Sequence, residues 1–392
     1  MSVARIETDP GIPPVIRDVP GQERAVAFLA RAVRHPHHAY VFSGPEGAGK
    51  RLAMRAFAAA LLCPDGGCGE CRACRLALGE RHSNMVVLEP TGPDILVGKD
   101  SSDPNTARWF AAQAYLTPVE PGRKVLVALQ ADRVRVEAAD VLLKVLEEPP
   151  LDTVFVLLSA RPDDLPETIR SRCQEISFPP LSEDFVVDTL VAEGVEEDSA
   201  RVACRLAGGN LGRARRMARD AAGLAFRDAA LDAVATAAGG MGAAIGAAET
   251  LTVRARQFRA SMAEELASEL EPFIDERGRP EEPFKGVVRR LEEAHERRLR
   301  RAEREFLDLS LLALTAYFRD VVVLATGGGE ELIINLDRAA TVGNLSMPGP
   351  AAAVAMGAVE EARADLADET NLNPRLILER LFLSLAALPG GR

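Results

Sequence analysis

Residues 39–51, AYVFSGPEGAGKR, constrain the fold more than any other segment, because a short apolar strand runs directly into a glycine-rich loop. Gly44 is followed, after four residues, by Gly49 and Lys50, which is the spacing of a phosphate-binding P-loop. In such a loop the backbone N–H groups and the lysine hold the phosphates of a nucleotide. We therefore predict a buried strand, a loop in which Gly44, Gly47, Gly49 and Lys50 bind phosphate, and a helix after it.

The residue after the lysine departs from the usual P-loop. That position normally holds a serine or threonine whose hydroxyl binds Mg²⁺, and here it is Arg51. The metal neutralises charge that develops on the transferred phosphoryl group, so we expect the loop, with Arg51 beside it, to hold ATP but to cleave it poorly. The alternative is a glycine-rich turn before the helix at 52–62 that binds no phosphate.

A second departure follows the apolar segment KVLVAL at 124–129, which we predict to be a buried parallel strand. In a hydrolysing P-loop ATPase such a strand ends in two acids, one for Mg²⁺ and one that activates water. Here it ends in Leu129 and Gln130, and the next acid is Asp132. The alternative is that another strand carries the acids, but the apolar segment at 154–159 has none.

The chain has six cysteines, and four of them lie within twelve residues, at positions Cys63, Cys68, Cys71 and Cys74. The intervening glycines and proline allow the sharp turns that let four sulfur atoms converge on one ion. We predict a structural Zn²⁺ site with these four ligands. An iron–sulfur cluster and the absence of any metal are the alternatives. Cys173 and Cys204 stand alone in apolar contexts, so we expect them to be buried side chains without a chemical role.

Composition and charge narrow the possible partners. The chain has 392 residues, of which 47% are hydrophobic, and a net charge of −11, which argues against a free-standing, non-specific DNA-binding protein. No segment has the pattern of a signal peptide, and no apolar run is long enough to span a membrane. We therefore expect a cytoplasmic protein without a membrane partner.

Apolar strands alternate with helices over residues 25–178, which predicts an α/β domain with a mainly parallel sheet. The segment at 139–150 forms an amphipathic helix that two prolines end, and Pro179 and Pro180 form a linker. Short helical patterns without strands follow at 181–222.

The remaining residues, 223–392, have the composition of helices. We expect the charged segment at 281–304 to form a solvated helix, and regard a DNA site there as the less favoured alternative. The closing helix, within 371–388, has five apolar residues that we predict to form its buried face, either in the core of the chain or in a contact with another subunit: Leu376, Ile377, Leu381, Leu383 and Leu388.

Several of these segments occur in an order that is typical of one family. PGQERAVAFLARAV at 20–33 is followed by the P-loop, the four-cysteine insert, LLKVLEEPP and LPETIRSRC. In this respect the chain resembles the bacterial clamp-loader ATPases of the AAA+ class. The resemblance implies an AAA+ P-loop domain at 1–178 that contains the cysteine module, a helical lid at 179–222 and a helical collar for oligomerisation at 223–392.

Within that family the departures favour the non-hydrolysing delta-prime type over the hydrolysing gamma/tau motor type, which is the alternative. A third departure supports this choice, because Gly212 occupies the place of the motor's nucleotide-sensing arginine and Arg213 lies one residue away. The resemblance implies partners in a hetero-oligomer, namely the delta and gamma/tau subunits, and, through the complex, primed DNA and the sliding clamp. A zinc-dependent nucleic-acid module unrelated to clamp loading is a third hypothesis, but it leaves the ordered motifs unexplained.

The resemblance also implies a role for Arg172, in Ser171-Arg172-Cys173. In the family this arginine acts as a finger in trans that reaches the γ-phosphate of ATP bound by a neighbouring subunit. A guanidinium suits this role because it is always charged and offers several donors in a rigid arrangement. The alternatives are an ordinary surface arginine or one held in an internal salt bridge.

Overall fold

A computed structural model describes residues 11–90, 94–219, 225–268, 270, 285–329, 332–335, 347–367 and 373–389. The chain divides into two compact units, Met1–Arg215 and Arg216–Arg392. The division into three domains that the resemblance implies stays a prediction.

The first unit is built on a parallel sheet of five strands in the order β2-β3-β4-β1-β5. Every residue of β1, β3 and β4 is buried, as expected for strands covered by helices on both faces. This sheet confirms the predicted α/β fold with a parallel sheet. The strands are β1 (Ala39–Ser43), β2 (Met85–Leu88), β3 (Lys124–Ala128), β4 (Thr153–Ser159) and β5 (Gln174–Ser177).

Helices of the first unit surround the sheet and then continue beyond β5. They are α1 (Pro14–Arg17), α2 (Glu23–Arg34), α3 (Lys50–Leu62), α4 (Arg72–Leu78), α5 (Ala107–Tyr115), α6 (Val136–Glu147), α7 (Glu167–Arg170), α8 (Glu183–Ala192), α9 (Glu197–Ala207) and α10 (Leu211–Arg219). Single 3-10 turns occur at Ala131–Arg133 and Pro162–Asp164.

Successive residues of β1 point to opposite faces of the sheet and enter two separate cores. Tyr40 and Phe42 pack with α2 and α3, and the Tyr40 and Phe57 rings meet edge to face with centroids 5.2 Å apart. Ala39 and Val41 lie on the other face, in the core formed with α5 and α6. The strand before the P-loop is therefore fixed from both sides.

Two strands of the sheet were not predicted from the sequence. β2 has only four residues, and in β5 Ile176 is buried between exposed polar neighbours. Helix α6 begins at Val136, earlier than the predicted 139, and ends at Glu147, directly before the prolines as expected.

The second unit consists of helices joined by turns and loops in its described residues, as the helical composition predicted. Its helices are α11 (Ala225–Ala237), α12 (Met241–Ser268), α13 (Lys285–Ala325), α14 (Gly349–Ala367) and α15 (Pro374–Ala386). No helix in the described part of the chain combines the length and apolar character needed to cross a membrane.

The buried face predicted for the closing helix was partly wrong. Leu376 is 61% exposed, and Leu383 and Leu388 are only half-buried. Ile377 and Leu381 are buried as predicted. The other buried residues follow the spacing of the same helix face: Leu378, Phe382 and Leu385. The prediction selected leucines by residue type, whereas the helix buries Phe382 in the stripe and leaves Leu376 on the opposite side.

The charged segment at 281–304 falls partly outside the described residues, and from Lys285 it belongs to α13. Val288, His295 and Ala302 are buried at intervals of seven residues. One face of this helix is thus packed, and charged residues such as Glu303, which pairs with Arg259 at 3.1 Å, lie towards solvent. The expectation of a solvated helix therefore needs one correction: every second turn places a buried residue on the packed face, which the high content of charged residues did not indicate.

Candidate nucleotide loop, cysteine module and interface arginine

The P-loop lies at the carboxyl end of β1, where the strand ends at Ser43 and α3 begins at Lys50. Gly44, Gly47 and Gly49 all have positive φ angles, of 143°, 79° and 89°. A Cβ at Gly44 would lie 2.0 Å from the carbonyl oxygen of Phe178, so only glycine fits there. The structure therefore brings the predicted loop residues together in the strand, loop and helix order that phosphate binding requires.

Lys50 folds back over its own loop. Its Nζ donates to the carbonyl oxygens of Gly44 and Pro45, the latter at 2.7 Å. Burial lowers the pKa of Lys50, and the charges of Glu46 and Asp132 oppose that shift. To bind a phosphate, this ammonium must exchange two carbonyl partners for the anion.

Arg51 points away from the loop and towards the cysteine insert. Its Nε and Nη2 each lie 2.6 Å from a carboxylate oxygen of Glu80, a bidentate pair, and Glu80 also accepts from Arg55 Nε at 2.7 Å. Burial acts to raise the pKa of Glu80, but hydrogen bonds and charges from the two arginines outweigh it and hold that pKa below its usual value. The side chain at the usual hydroxyl position thus links α3 to the end of the cysteine insert.

The end of β3 offers no carboxylate at the usual positions. Leu129 is buried, and Gln130 has a φ of 53°. The carboxylate of Asp132, which sequence reasoning had placed too far along the chain, returns to the sheet through the 3-10 turn. It accepts a hydrogen bond from Ala160 N–H at 3.1 Å and lies 3.7 Å from Arg161, so its oxygens already have partners.

Two side chains that sequence reasoning missed hold the loop from outside. Buried Gln22 donates to the carbonyls of Ala48 and Pro179 at 2.9 and 2.8 Å. Asn210 donates to Glu46 O at 3.3 Å, and a Cβ at Gly47 would lie 1.9 Å from its Cγ. An asparagine directly before a helical segment is an N-capping signal that could have indicated Asn210.

Asn210 also places the beginning of α10 beside the P-loop. Its Oδ1 accepts from the backbone N–H of Arg213 at 3.0 Å, as an N-cap does. Gly212 is exposed and Arg213 is half-buried in the first turn. The start of α10, where the resemblance predicts a nucleotide-sensing arginine, therefore lies next to the P-loop. Arg213 is the first positively charged residue of this helix.

The sulfur atoms of Cys63, Cys68, Cys71 and Cys74 all lie within 4.8 Å of one another. Three pairs are separated by 3.7, 3.7 and 4.0 Å. Four thiolates about 2.3 Å from a tetrahedral ion would be about 3.8 Å apart, so the arrangement fits a closed tetrahedral metal site. These cysteines can therefore hold a metal such as zinc.

Backbone N–H groups prepare these sulfurs for the thiolate form. Gly69 N–H lies 3.3 Å from Cys74 Sγ, and Cys71 N–H lies 3.4 Å from Cys68 Sγ. Burial acts to raise the pKa of Cys63, but backbone N–H donors lower it to about 7. Burial raises the pKa of Cys74, so this thiol keeps its proton in the absence of metal. Binding of a metal ion would release that proton.

The other two cysteines, Cys173 and Cys204, lie outside the cluster, and burial raises the pKa of both. Burial raises the pKa of Cys173 to about 12 and that of Cys204 to about 11. Cys204 is buried as predicted, whereas Cys173 is half-buried and borders a cavity. Both thiols remain protonated near neutral pH and are poor nucleophiles.

Arg172 lies on the cavity that Cys173 borders, a space of about 610 Å³ whose lining includes His37, His38, Glu147 and Gln174. The Arg172 side chain is 35% exposed and forms an ion pair with Glu147. Its Nη1 donates to Thr168 O at 2.7 Å. The internal salt bridge considered as an alternative thus exists, and it leaves the guanidinium at a cavity open to solvent.

The cavity and the P-loop lie at opposite edges of the sheet. Tyr40 is level with Gln174 in the parallel register of β1 and β5, so Arg172 precedes β5 at the amino edge. The P-loop follows β1 at the carboxyl edge. At about 3.3 Å per residue, the six residues from His38 to Gly44 span about 20 Å. Arg172 cannot reach a phosphate in its own chain's loop.

The link between Arg51, Arg55 and Glu80 predicts a measurable contribution to stability. Glu80→Gln keeps the shape but removes the charge that two arginines share, so the free energy of unfolding in urea should fall by about 1–2 kcal/mol. Because the pKa of Glu80 is lowered in the folded chain, the difference should disappear as the pH falls through that pKa.

Glu89→Gln is the matched control, since Glu89 is 53% exposed and lies 3.8 Å from Arg51. It should change the free energy by less than about 0.5 kcal/mol. Equal effects of the two variants would contradict a specific role for Glu80.

Comparison with known proteins supports the family resemblance. The sequence model described as DNA polymerase III, delta subunit, matches residues 21–182. The DNA polymerase III subunit delta-prime of Pseudomonas aeruginosa is 38% identical over 164 residues, which cover 41% of this chain and 48% of that protein. The delta-prime subunit of Bacillus subtilis is 32% identical over 186 residues, with coverage of 46% and 54%.

A subunit with a different name is similar to a comparable length of the chain. Subunit tau of Bacillus subtilis is 32% identical over 181 residues, 45% of this chain and 31% of that protein. The chain spans about half the length of the delta-prime proteins it matches. These matches agree with the resemblance found in the motifs: residues 21–182 match the DNA polymerase III family model, and part of the chain is similar to subunits named delta-prime and to one named tau.

Proposed function

We propose that this protein is the non-hydrolysing delta-prime subunit of a DNA polymerase III clamp loader, which helps to place the sliding clamp on primed DNA. The observation that carries the proposal is a P-loop whose fold is intact but whose hydrolytic groups are missing. Arg51 is paired with Glu80, and the strand that should end in acids ends in buried Leu129. Magnesium is thereby left without its usual protein ligands at both positions.

The proposed partners follow from the same assignment. The delta and gamma/tau subunits would join this chain in a cytoplasmic hetero-oligomer through a helical collar at 223–392. The helices at 179–222 would act as the lid over the loop. DNA and the clamp would be engaged through the complex, which accords with the net charge of −11 of this chain.

Nucleotide binding is proposed to be weak. ATP would have to displace Lys50 from two carbonyls and Asn210 from the loop at Gly47. The loop amides and Lys50 would then hold its phosphates, with Gly44 and Gly49 giving the turns that allow close approach.

We predict that the isolated chain hydrolyses ATP no faster than the uncatalysed background, because neither Arg51 nor Leu129 can bind Mg²⁺. The measurement is phosphate release by the purified protein, with Lys50→Ala as the control for contaminating ATPase. The similarity to a tau subunit supports the second candidate, an ATP-hydrolysing motor. Turnover of about 1 s⁻¹ or faster that Lys50→Ala abolishes would establish that candidate instead.

The cysteine module is proposed to hold one structural Zn²⁺ through Cys63, Cys68, Cys71 and Cys74. Four sulfur ligands leave no open coordination position, so the ion would contribute to folding and not to catalysis. Glu80 lies six residues beyond the cysteine module at 63–74, and its ion pairs with Arg51 and Arg55 would link the ordered module to α3.

We expect one equivalent of zinc to co-purify with the protein, and Cys71→Ser to lose it and to lower the melting temperature. Metal content by native mass spectrometry and a thermal melt give the two readouts. Cys204→Ser, far from the cluster in sequence and also buried, is the control and should keep the zinc. A folded wild-type protein without metal would refute the proposal.

Arg172 is proposed to act in trans on ATP bound by a neighbouring motor subunit. Support comes from its position at the amino edge of the sheet, about 20 Å from the chain's own loop, and from its exposure at a cavity. A chain that lacks hydrolytic groups of its own but presents this arginine would activate its neighbour.

Arg172→Ala should lower the DNA- and clamp-stimulated ATPase of the reconstituted complex by roughly half or more, because one site loses a finger worth about 10³- to 10⁵-fold while the others keep theirs. Subunit composition should not change. Arg170→Ala is a matched control, since Arg170 also has a 35% exposed side chain and pairs with Asp163 and Glu175. A wild-type rate for Arg172→Ala in a complex of normal stoichiometry would exclude the role.

A further inference from the structure

We propose that Glu147 is the positioning residue for Arg172, holding its guanidinium at the cavity for a phosphate group that another chain supplies. The inference rests on the proposed function of Arg172 as a finger. Glu147 and Glu148 are the two adjacent glutamates of LLKVLEEPP. Of these two described residues, Glu147 forms the ion pair with Arg172 and Glu148 does not.

The geometry of the pair is specific. Glu147 Oε1 lies against Arg172 Nη2, while Arg172 Nη1 donates to Thr168 O at 2.7 Å and approaches Ser171 Oγ at 3.4 Å. The two contacts grip both ends of the planar guanidinium and fix its orientation. No acceptor among the described residues contacts Nε–H or the second hydrogen of Nη2. The guanidinium of Arg172 is therefore fixed in orientation and still has N–H groups that can donate to a ligand.

The position of Glu147 in its helix indicates that the pair is more than a chance surface contact. Glu147 is the last residue of α6, where the negative end of the helix dipole disfavours a carboxylate. Pro149 and Pro150 follow and end the helix at this point. The positive charge of Arg172 offsets the repulsion between the Glu147 carboxylate and the negative end of the helix dipole. The ion pair therefore stabilises Glu147 at a position that is unfavourable for an unpaired carboxylate.

The surroundings of the pair favour a phosphate as the missing ligand. Among the residues that line the cavity, Arg172 and Glu147 carry opposite charges, and the rest include His37, His38 and Gln174. His38 Nε2 is buried and has no hydrogen-bond partner among the described residues, and burial together with His37 lowers the pKa of His38. Arg172 is thus the permanent cation here, and an anion would be drawn to its unused N–H groups.

Fixing an arginine in advance matters because its side chain otherwise loses rotamer freedom when it binds, and because a finger must be placed within about 0.5 Å. An opposite view is that Glu147 competes with phosphate and restrains the finger. The two views predict opposite signs for removal of Glu147, so one experiment decides between them.

The experiment uses the reconstituted clamp loader with Glu147→Ala, Glu147→Gln, Arg172→Ala and the double variant Glu147→Ala/Arg172→Ala in this chain. Glu147→Ala should lower turnover at the site that Arg172 serves by about 2- to 5-fold, so that kcat of the complex lies between those of wild type and Arg172→Ala. KM for ATP should not change, since the neighbouring chain binds the nucleotide. Glu147→Gln, which keeps an acceptor oxygen, should restore most of the loss.

The double variant separates positioning from a general structural role. If Glu147 acts through Arg172, Glu147→Ala should have no further effect when Arg172 is already alanine. Glu148→Ala, one residue away and exposed, is the matched control and should behave as wild type. Subunit composition and the melting temperature of each variant verify that the complex is intact.

Three results would overturn the inference: a rate for Glu147→Ala equal to wild type, a higher rate, or a loss that persists in full in the Arg172→Ala background. Each of these leaves the proposed role of Arg172 standing as long as Arg172→Ala itself lowers the rate. A wild-type rate for Arg172→Ala would instead remove the proposed function, and the inference with it.

Discussion

The common direction of the five strands determines which side chains of the first unit can act together. Because every strand runs the same way, all loops after strands meet at one edge and all segments before strands meet at the other. The P-loop, Asp132 and the Asn210 contact lie at the carboxyl edge, and the cavity with Arg172 lies at the amino edge. The sheet therefore separates the chain's own P-loop from the cavity with Arg172.

At the carboxyl edge, the residue that stands in place of the usual magnesium-binding hydroxyl makes a structural contact. The position that would hold a magnesium-binding hydroxyl carries Arg51, whose two bonds to Glu80 join the P-loop helix to the cysteine module. A serine at this place is too short to reach that carboxylate. Arg51 thus anchors the cysteine insert to α3 from the position at which the proposed function requires a magnesium-binding hydroxyl to be absent.

The sequence predicted the strand–loop–helix at 39–62, the fold class and the convergence of four cysteines, because each depends on local spacing. It did not predict the direction of Arg51, since Glu80 is a neighbour only after α4 has packed on α3. It missed Asn210 and Gln22, whose roles depend on contacts across more than a hundred residues. The misassigned Leu376 shows the same limit: residue type indicates that a helix has a buried face, but packing decides which side is buried.

The most direct test of the account compares two variants of this chain in the same reconstituted complex: Lys50→Ala at the carboxyl edge and Arg172→Ala at the amino edge. The measured quantity is the rate of ATP hydrolysis with clamp and primed DNA present. If the chain acts only on its neighbour's nucleotide, Lys50→Ala should leave the rate unchanged and Arg172→Ala should lower it. A rate that falls with Lys50→Ala and not with Arg172→Ala would show that the chain is itself a motor and would contradict the account.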